Sequence, residues 1–287
     1  MRAPDDENLF IAGTVPDALA ALASHGVGAM PFAGGTWIMR APIRREPQAA
    51  FYVSLDRIPE LSAVDIAIDR IRIGACVTHS RLAAQLAEVE PCHGLVTAAG
   101  SAANPAIRGM ATVGGNLSTW DFPAADLPPA LLCLDAEVEL ATTDGRQRLP
   151  FERFLATRRE LRPGTLLTGV TIPRRPVRTA HARLPLRKAG DYPVAIVSLA
   201  ILLDRNGAVE DASVAVGSVE STARRWPELE RKLVGHPLDP ETARVLAEAE
   251  LGAFTGRDGV EAPGWYRLQV LPALMRRAVD AALRSQS

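Results

Sequence analysis

The chain has 287 residues, 47% hydrophobic and 23% charged, with 32 Lys and Arg against 33 Asp and Glu for a formal net charge of −1. That length suits one large domain or two to three smaller ones with a sizeable core, and the composition argues against disorder. The charge balance excludes a broad attraction to nucleic acid or an anionic surface, and no apolar run approaches the ~18 residues of a membrane-spanning helix.

The first fifty-odd residues read as a small α/β unit. Leu9, Phe10 and Ile11 form a short strand; Thr14 is an N-cap with Pro16 and Asp17 in the first turn, and an Ala/Leu helix follows to His25. Gly26 is the expected C′ residue, with strands over 27–33 and 51–55 completing the unit. Strict alternation around an Asp69-Arg70 turn predicts a hairpin over 63–74, and helices are expected over 80–88 and 93–103. The glycine-rich stretch 109–115 reads as a loop, a helix should start near Asp126, and a second hairpin spans 136–149 around Asp144-Gly145, before a strand over 166–172. Composition shifts at Pro173-Arg174-Arg175-Pro176, and beyond it Asn206-Gly207 joins strands over 194–203 and 208–216. Helices close the chain, one opened by Asp239-Pro240 and one over 264–284 that Pro272 should kink or divide. This order predicts an α+β protein with subdomains over 1–57, 58–175 and 176–287.

Two glycine pairs are the candidate ligand sites: Ala33-Gly34-Gly35-Thr36-Trp37 after a strand, and Thr112-Val113-Gly114-Gly115-Asn116. Glycine lets a ligand approach the backbone closely, so successive amides can cradle a diphosphate, although a tight turn is its commoner use. Neither pair matches the nicotinamide fingerprint or the P-loop. Cys76, Cys92 and Cys133 form no C-x-x-C pair, which argues against a disulfide framework and a cysteine-ligated cluster in this chain. His25, His93, His181 and His236 read as ordinary surface or core residues; His79 beside Thr78 is either a functional group or a helix start. Trp37 either stacks on a ligand or packs beneath its loop. The acidic residues Asp5, Asp6 and Glu7, without an apolar segment, give no secretory signal, and the expected location is the cytoplasm.

The order Ala-Gly-Gly-Thr near residue 35, Ala-Thr-Val-Gly-Gly-Asn-Leu from Ala111 and Pro-Ala-Ala-Asp-Leu-Pro-Pro from Pro123 resembles the FAD-binding medium subunits of the molybdenum hydroxylases, the xanthine dehydrogenase and carbon monoxide dehydrogenase family. Gly74-Ala75, Thr78-His79, the run 187–192 and Tyr266-Arg267 extend the resemblance over nearly the whole chain. It implies a two-subdomain FAD cradle of the vanillyl-alcohol-oxidase (PCMH) type, followed by a small C-terminal domain with an antiparallel sheet and helices. It also implies that the two glycine segments wrap the FAD diphosphate, that Asp126 lies near the flavin nucleotide, and that Arg187 and Lys188 contribute to the cofactor site. Asp126 is equally readable as a helix N-cap. The segment between Asn116 and Asp126 departs from the pattern, with Trp120, Asp121 and Phe122 where small residues are common, and Arg183 or Arg187 would replace a lysine usual in relatives.

Function follows as an expectation: an FAD-carrying electron-transfer subunit that takes electrons from a small [2Fe–2S] subunit and passes them to an external acceptor. Molybdopterin would sit on a large partner subunit, the whole a heterotrimer or its dimer. The alternatives are a self-contained flavin oxidoreductase, with Tyr192 or His79 as proton donor, and a scaffold without cofactor.

Overall fold

The structure, a computed structural model, describes residues 8–186 and 192–284. Strand β1 (Leu9–Ile11), helix α1 (Val15–His25), strand β2 (Ala29–Phe32), the short helix α2 (Ala41–Arg44) and strand β3 (Phe51–Ser54) form the first unit. Its sheet is parallel in the order β1-β3-β2: α1 crosses from β1 to the far strand β2, and the segment 33–50, which holds α2, makes the crossover from β2 to its neighbour β3. Thr14 caps α1 by accepting from the Asp17 amide at 3.2 Å, and Gly26 ends it at φ 55°. Val15, Ala18, Leu19 and Leu22 of α1 pack on Val53 and Leu55, and this core continues into Ile58, Leu61, Cys76 and Leu166.

The middle unit contains strands β4 (Val64–Ile66) and β5 (Arg70–Gly74) and helices α3 (His79–Gln85), α4 (His93–Ser101), α5 (Pro105–Met110), α6 (Val113–Ser118) and α7 (Leu127–Cys133). It then adds β6 (Glu137–Thr142), β7 (Gly145–Pro150), α8 (Phe151–Thr157) and β8 (Leu166–Pro173). The five strands are antiparallel in the order β4-β5-β8-β6-β7. Glu139 on β6 bridges the sheet: it is 2.8 Å from Arg72 Nε and 3.1 Å from Arg148 Nη2, and accepts from the Thr171 hydroxyl at 3.2 Å.

The glycine-rich stretch expected as a loop is instead two short helices. Asn104 accepts from the Ile107 amide at 3.0 Å with Pro105 in the first turn, and Thr112 accepts from the Gly115 amide at 3.1 Å. Each cap sits directly before its helix, and capping outweighs the low helix propensity of Gly109, Gly114 and Gly115 over so few residues.

Beyond Pro176 the chain adds β9 (Arg178–Pro185), β10 (Pro193–Leu203), β11 (Val209–Gly217), β12 (Arg224–Arg225), α9 (Pro227–Leu233), α10 (Pro240–Ala249), α11 (Gly264–Gln269) and α12 (Leu271–Arg284). The antiparallel order is β12-β11-β10-β9, and Gly207 makes the turn between β10 and β11 at φ 82°. Strand β10 is apolar throughout except for Ser198 because both faces are covered: α12 packs on β9 and β10 while α4 and α7 of the middle unit also pack against the sheet. Full burial of each aliphatic side chain here contributes about 1.5–3 kcal/mol. The last helical segment divides at Val270, two residues before Pro272, which lies in the first turn of α12. The fully buried Arg267 of α11 anchors it, donating to Val194 O at 2.6 Å, Ser218 O at 3.1 Å and Arg257 O at 3.0 Å. Among the described residues no helix is long and apolar enough to cross a membrane.

Candidate functional site

Residues of all three units line a cleft of ≈ 1290 Å³. Small-ligand pockets are usually about 300–1,000 Å³, so this one suits a longer, dinucleotide-sized ligand. The first glycine pair forms part of its wall. Among the described residues, the amides of Gly34, Gly35, Thr36 and Trp37 have no hydrogen-bond acceptor. Four consecutive unpaired donors make a ready site for an anion. Gly35 adopts φ 69°, and a Cβ on Gly34 would sit 1.7 Å from Met110 O, so glycine here also lets this turn press against the end of α5.

The second glycine pair is built differently. Its amides are already used: Val113 donates to Val77 O at 2.9 Å, Gly114 to Ala75 O at 2.7 Å, Gly115 to the Thr112 hydroxyl and Asn116 to Thr112 O at 3.0 Å. A Cβ on Gly114 would meet the Ala75 side chain at 2.8 Å, so this glycine serves close packing. Thr112, Gly114, Gly115 and Asn116 nonetheless all line the cleft, and Asn116 Oδ1 is buried there without a partner.

Asp126 stands at the N-cap position of α7 but does not cap it. The two residues whose amides an N-cap side chain reaches are Pro128 and Pro129, which have none to donate. Its carboxylate is therefore free for tertiary contacts: Oδ1 accepts from His181 Nε2 at 3.2 Å and lies 2.9 Å from Arg183 Nε. His181 Nδ1 in turn lies 2.9 Å from Ser198 Oγ. This Ser–His–Asp order is no nucleophilic triad, because Ser198 is 1% exposed and does not line the cleft. His181 is a core residue, as the sequence implied, yet it braces a cleft carboxylate from the C-terminal sheet. The signal was the His181-x-Arg183 spacing, which places both side chains on one face of a strand.

Trp37 lines the cleft and packs against Phe122, with ring centroids 4.9 Å apart, and Phe122 meets Tyr192 edge-on at 5.0 Å. Arg44 stacks over Trp37 at 4.0 Å. The departing segment thus supplies an aromatic link between the first unit and the C-terminal domain. Its Trp120 points elsewhere, under Arg159 at 4.2 Å.

Sequence reasoning missed Arg108 and Arg158, which line the cleft without any motif. Arg108 donates to Ala102 O and Ala103 O at 3.1 and 2.8 Å, and Arg158 to Leu117 O at 2.6 Å. Burial pushes the Arg158 guanidinium down to about 10, still a cation at neutral pH. His79, the first residue of α3, lines the cleft at 3% exposure, and neither ring nitrogen has a partner. Burial pushes its imidazole down to about 4, a shift opposed by the Asp126 carboxylate and reinforced by the Arg108 cation. Of the sequence-derived candidates, Ala33, Gly34, Gly35, Thr36, Trp37, Thr112, Gly114, Gly115, Asn116 and Asp126 all face this one cleft. Arg187 and Lys188 lie outside the described residues.

Comparison with known proteins agrees with this geometry. The family described as the FAD binding domain in molybdopterin dehydrogenase matches residues 5–175, and the CO dehydrogenase flavoprotein C-terminal domain matches residues 181–282. The carbon monoxide dehydrogenase medium chain of Afipia carboxidovorans is 30% identical over 279 residues, covering 94% of each chain. The 6-hydroxypseudooxynicotine dehydrogenase complex subunit alpha of Paenarthrobacter nicotinovorans is 29% identical over 283 residues, 98% of this chain and 95% of that one. A solved CO dehydrogenase from Oligotropha carboxidovorans superposes with a TM-score of 0.86 at 29% identity, over 99% of this chain and 100% of that chain.

Fold and cleft together define a flavoprotein: a two-part FAD cradle of the PCMH type, closed by a C-terminal α+β domain. The chain belongs to the FAD-binding medium subunits of the molybdenum hydroxylases, the family of the carbon monoxide and xanthine dehydrogenases.

Proposed function

We propose that this chain is the electron-transfer subunit of a multi-subunit molybdenum hydroxylase, taking electrons from a [2Fe–2S] cluster on a small partner and passing them to an external acceptor. Molybdopterin and the organic substrate belong to a large partner subunit, in a heterotrimer or its dimer. The observation that carries this reading is the run of four unpaired amides, Gly34 to Trp37, opening on a cleft of ≈ 1290 Å³.

The residues present fit FAD. The amides of the first glycine turn would hold its diphosphate, and the buried Asn116 Oδ1 awaits a donor. Asp126, fixed by His181 and Arg183, would take a hydroxyl or ring N–H of the nucleotide, and the domain expected over 1–57 would supply the diphosphate side. Arg187 and Lys188 complete the proposed contacts. Bound FAD supplies the redox chemistry, while the protein supplies binding, orientation and electrostatic tuning.

The test compares the isolated chain with the assembled complex under anaerobic conditions. Both should carry oxidised flavin, read as absorbance near ~450 nm. Candidate N-heterocycles, aldehydes or carbon monoxide should bleach it only in the complex. Substrate-driven bleaching of the isolated chain would sink the subunit reading in favour of a self-contained oxidoreductase.

A further inference from the structure

We propose that His79 is a direct hydrogen-bonding contact of the bound cofactor, donating through one ring nitrogen and accepting through the other; this rests on the reading of the cleft as an FAD site. His79 is held rigidly by its backbone. Its amide donates to Ala111 O at 2.9 Å, the preceding Thr78 caps α3 by accepting from the Arg81 amide at 3.3 Å, and Thr78 pairs with Thr112 in an isolated bridge. The start of α3 is thereby tied to the start of α6, at the second glycine pair.

The ring on this fixed backbone is 3% exposed, lines the cleft, and leaves both nitrogens unsatisfied. A buried polar group without a partner costs about 1–3 kcal/mol, and here the cost falls on two atoms of one side chain. The two side chains whose charge acts on the ring, Asp126 and Arg108, make other contacts: Asp126 Oδ1 with His181 and Arg183, and Arg108 with the Ala102 and Ala103 carbonyls. With burial holding the imidazole neutral, it offers one donor and one acceptor. The phosphate oxygens and sugar hydroxyls of a flavin dinucleotide supply both complements.

The experiment measures FAD dissociation constants and apo-protein unfolding midpoints for the full chain with His79, His79→Phe and His79→Gln. Phenylalanine keeps a planar ring and removes both nitrogens; glutamine restores one donor and one acceptor. His79→Phe should weaken FAD binding roughly 10-fold, as loss of one to two neutral hydrogen bonds implies. The apo midpoint should stay level or rise, since an unpartnered polar group has been removed, and His79→Gln should recover part of the affinity. Wild-type FAD affinity in His79→Phe overturns the assignment while leaving the flavoprotein reading intact. A wild-type chain that binds no FAD overturns both. Should His79→Phe not fold, ¹⁵N NMR of the histidine rings, assigned with His79→Gln, decides: His79 resonances that move on FAD addition support the contact, and unmoved resonances refute it.

Discussion

Gly34→Ala probes the joint between the first unit and the middle unit. The added Cβ would lie 1.7 Å from Met110 O and 2.6 Å from Met110 C, both backbone atoms that no rotamer change can move aside. Normal non-bonded contact needs about 3.5 Å, so the end of α5 or the whole glycine turn must retreat by more than ~1.5 Å. Retreat of α5 strains the Ala111 amide bond to Ile107 O at 2.7 Å and the His79 amide bond to Ala111 O at 2.9 Å. Overpacking costs about 1–3 kcal/mol, and backbone against backbone places this substitution near ~3 kcal/mol, or roughly 6–12 °C in Tm. Gly109→Ala is the internal control: it lies in α5 with nothing within 4 Å of the new Cβ, and should stabilise by about 0.5–1 kcal/mol. Thermal and urea denaturation of both variants, with FAD content read from the same preparations, checks the pair. A Gly34→Ala protein with wild-type midpoint and full FAD would refute the close approach and with it the placement of the first turn.

The His79 imidazole faces Asp126 and Arg108, and its proton affinity is held at about 4 in the fold against 6.5 in the open chain. The unfolded chain therefore binds the extra proton first, and apo stability should fall between pH 6.5 and 4 by roughly 3 kcal/mol more in wild type than in His79→Phe, measured by urea midpoints. Glu139→Gln leaves Arg72 and Arg148 without their shared carboxylate and should cost about 3 kcal/mol in chemical denaturation; an unchanged midpoint would mean that the pair is solvated. Burial pushes the Cys76 and Cys92 thiols up to about 12 and raises Cys133 as well. A thiol reagent at pH 8 should thus label none of the three in the native chain and all three after denaturation. Because the fold favours the neutral thiols, stability should also decline as pH rises from about 9 toward 12.

Much of the fold was legible from local chemistry. The Asp69-Arg70, Asp144-Gly145 and Asn206-Gly207 turns joined paired strands, and Thr14 and Asp239 capped their helices. Strand β9 was not anticipated, because it lies against the composition break, and α5 and α6 were hidden by their glycines. Even the freedom of Asp126 was written in Leu127-Pro128-Pro129, since prolines at those positions leave an N-cap nothing to bind.

The sequence by itself determined where turns, caps and strands fall and that two glycine pairs and an acidic residue belong to one FAD-binding family, since turn and cap chemistry acts within about four residues. Only the tertiary structure decided what each of those features does. The first glycine pair leaves its amides without an acceptor on the wall of the cleft, whereas the second spends them on Ala75, Val77 and its own cap. Asp126 meets His181 across 55 residues of sequence, and the His79 ring is buried with neither nitrogen hydrogen-bonded. Such outcomes depend on which backbone atoms packing brings together, and no residue pattern states in advance which donors will be consumed within the fold and which will be left facing a cleft.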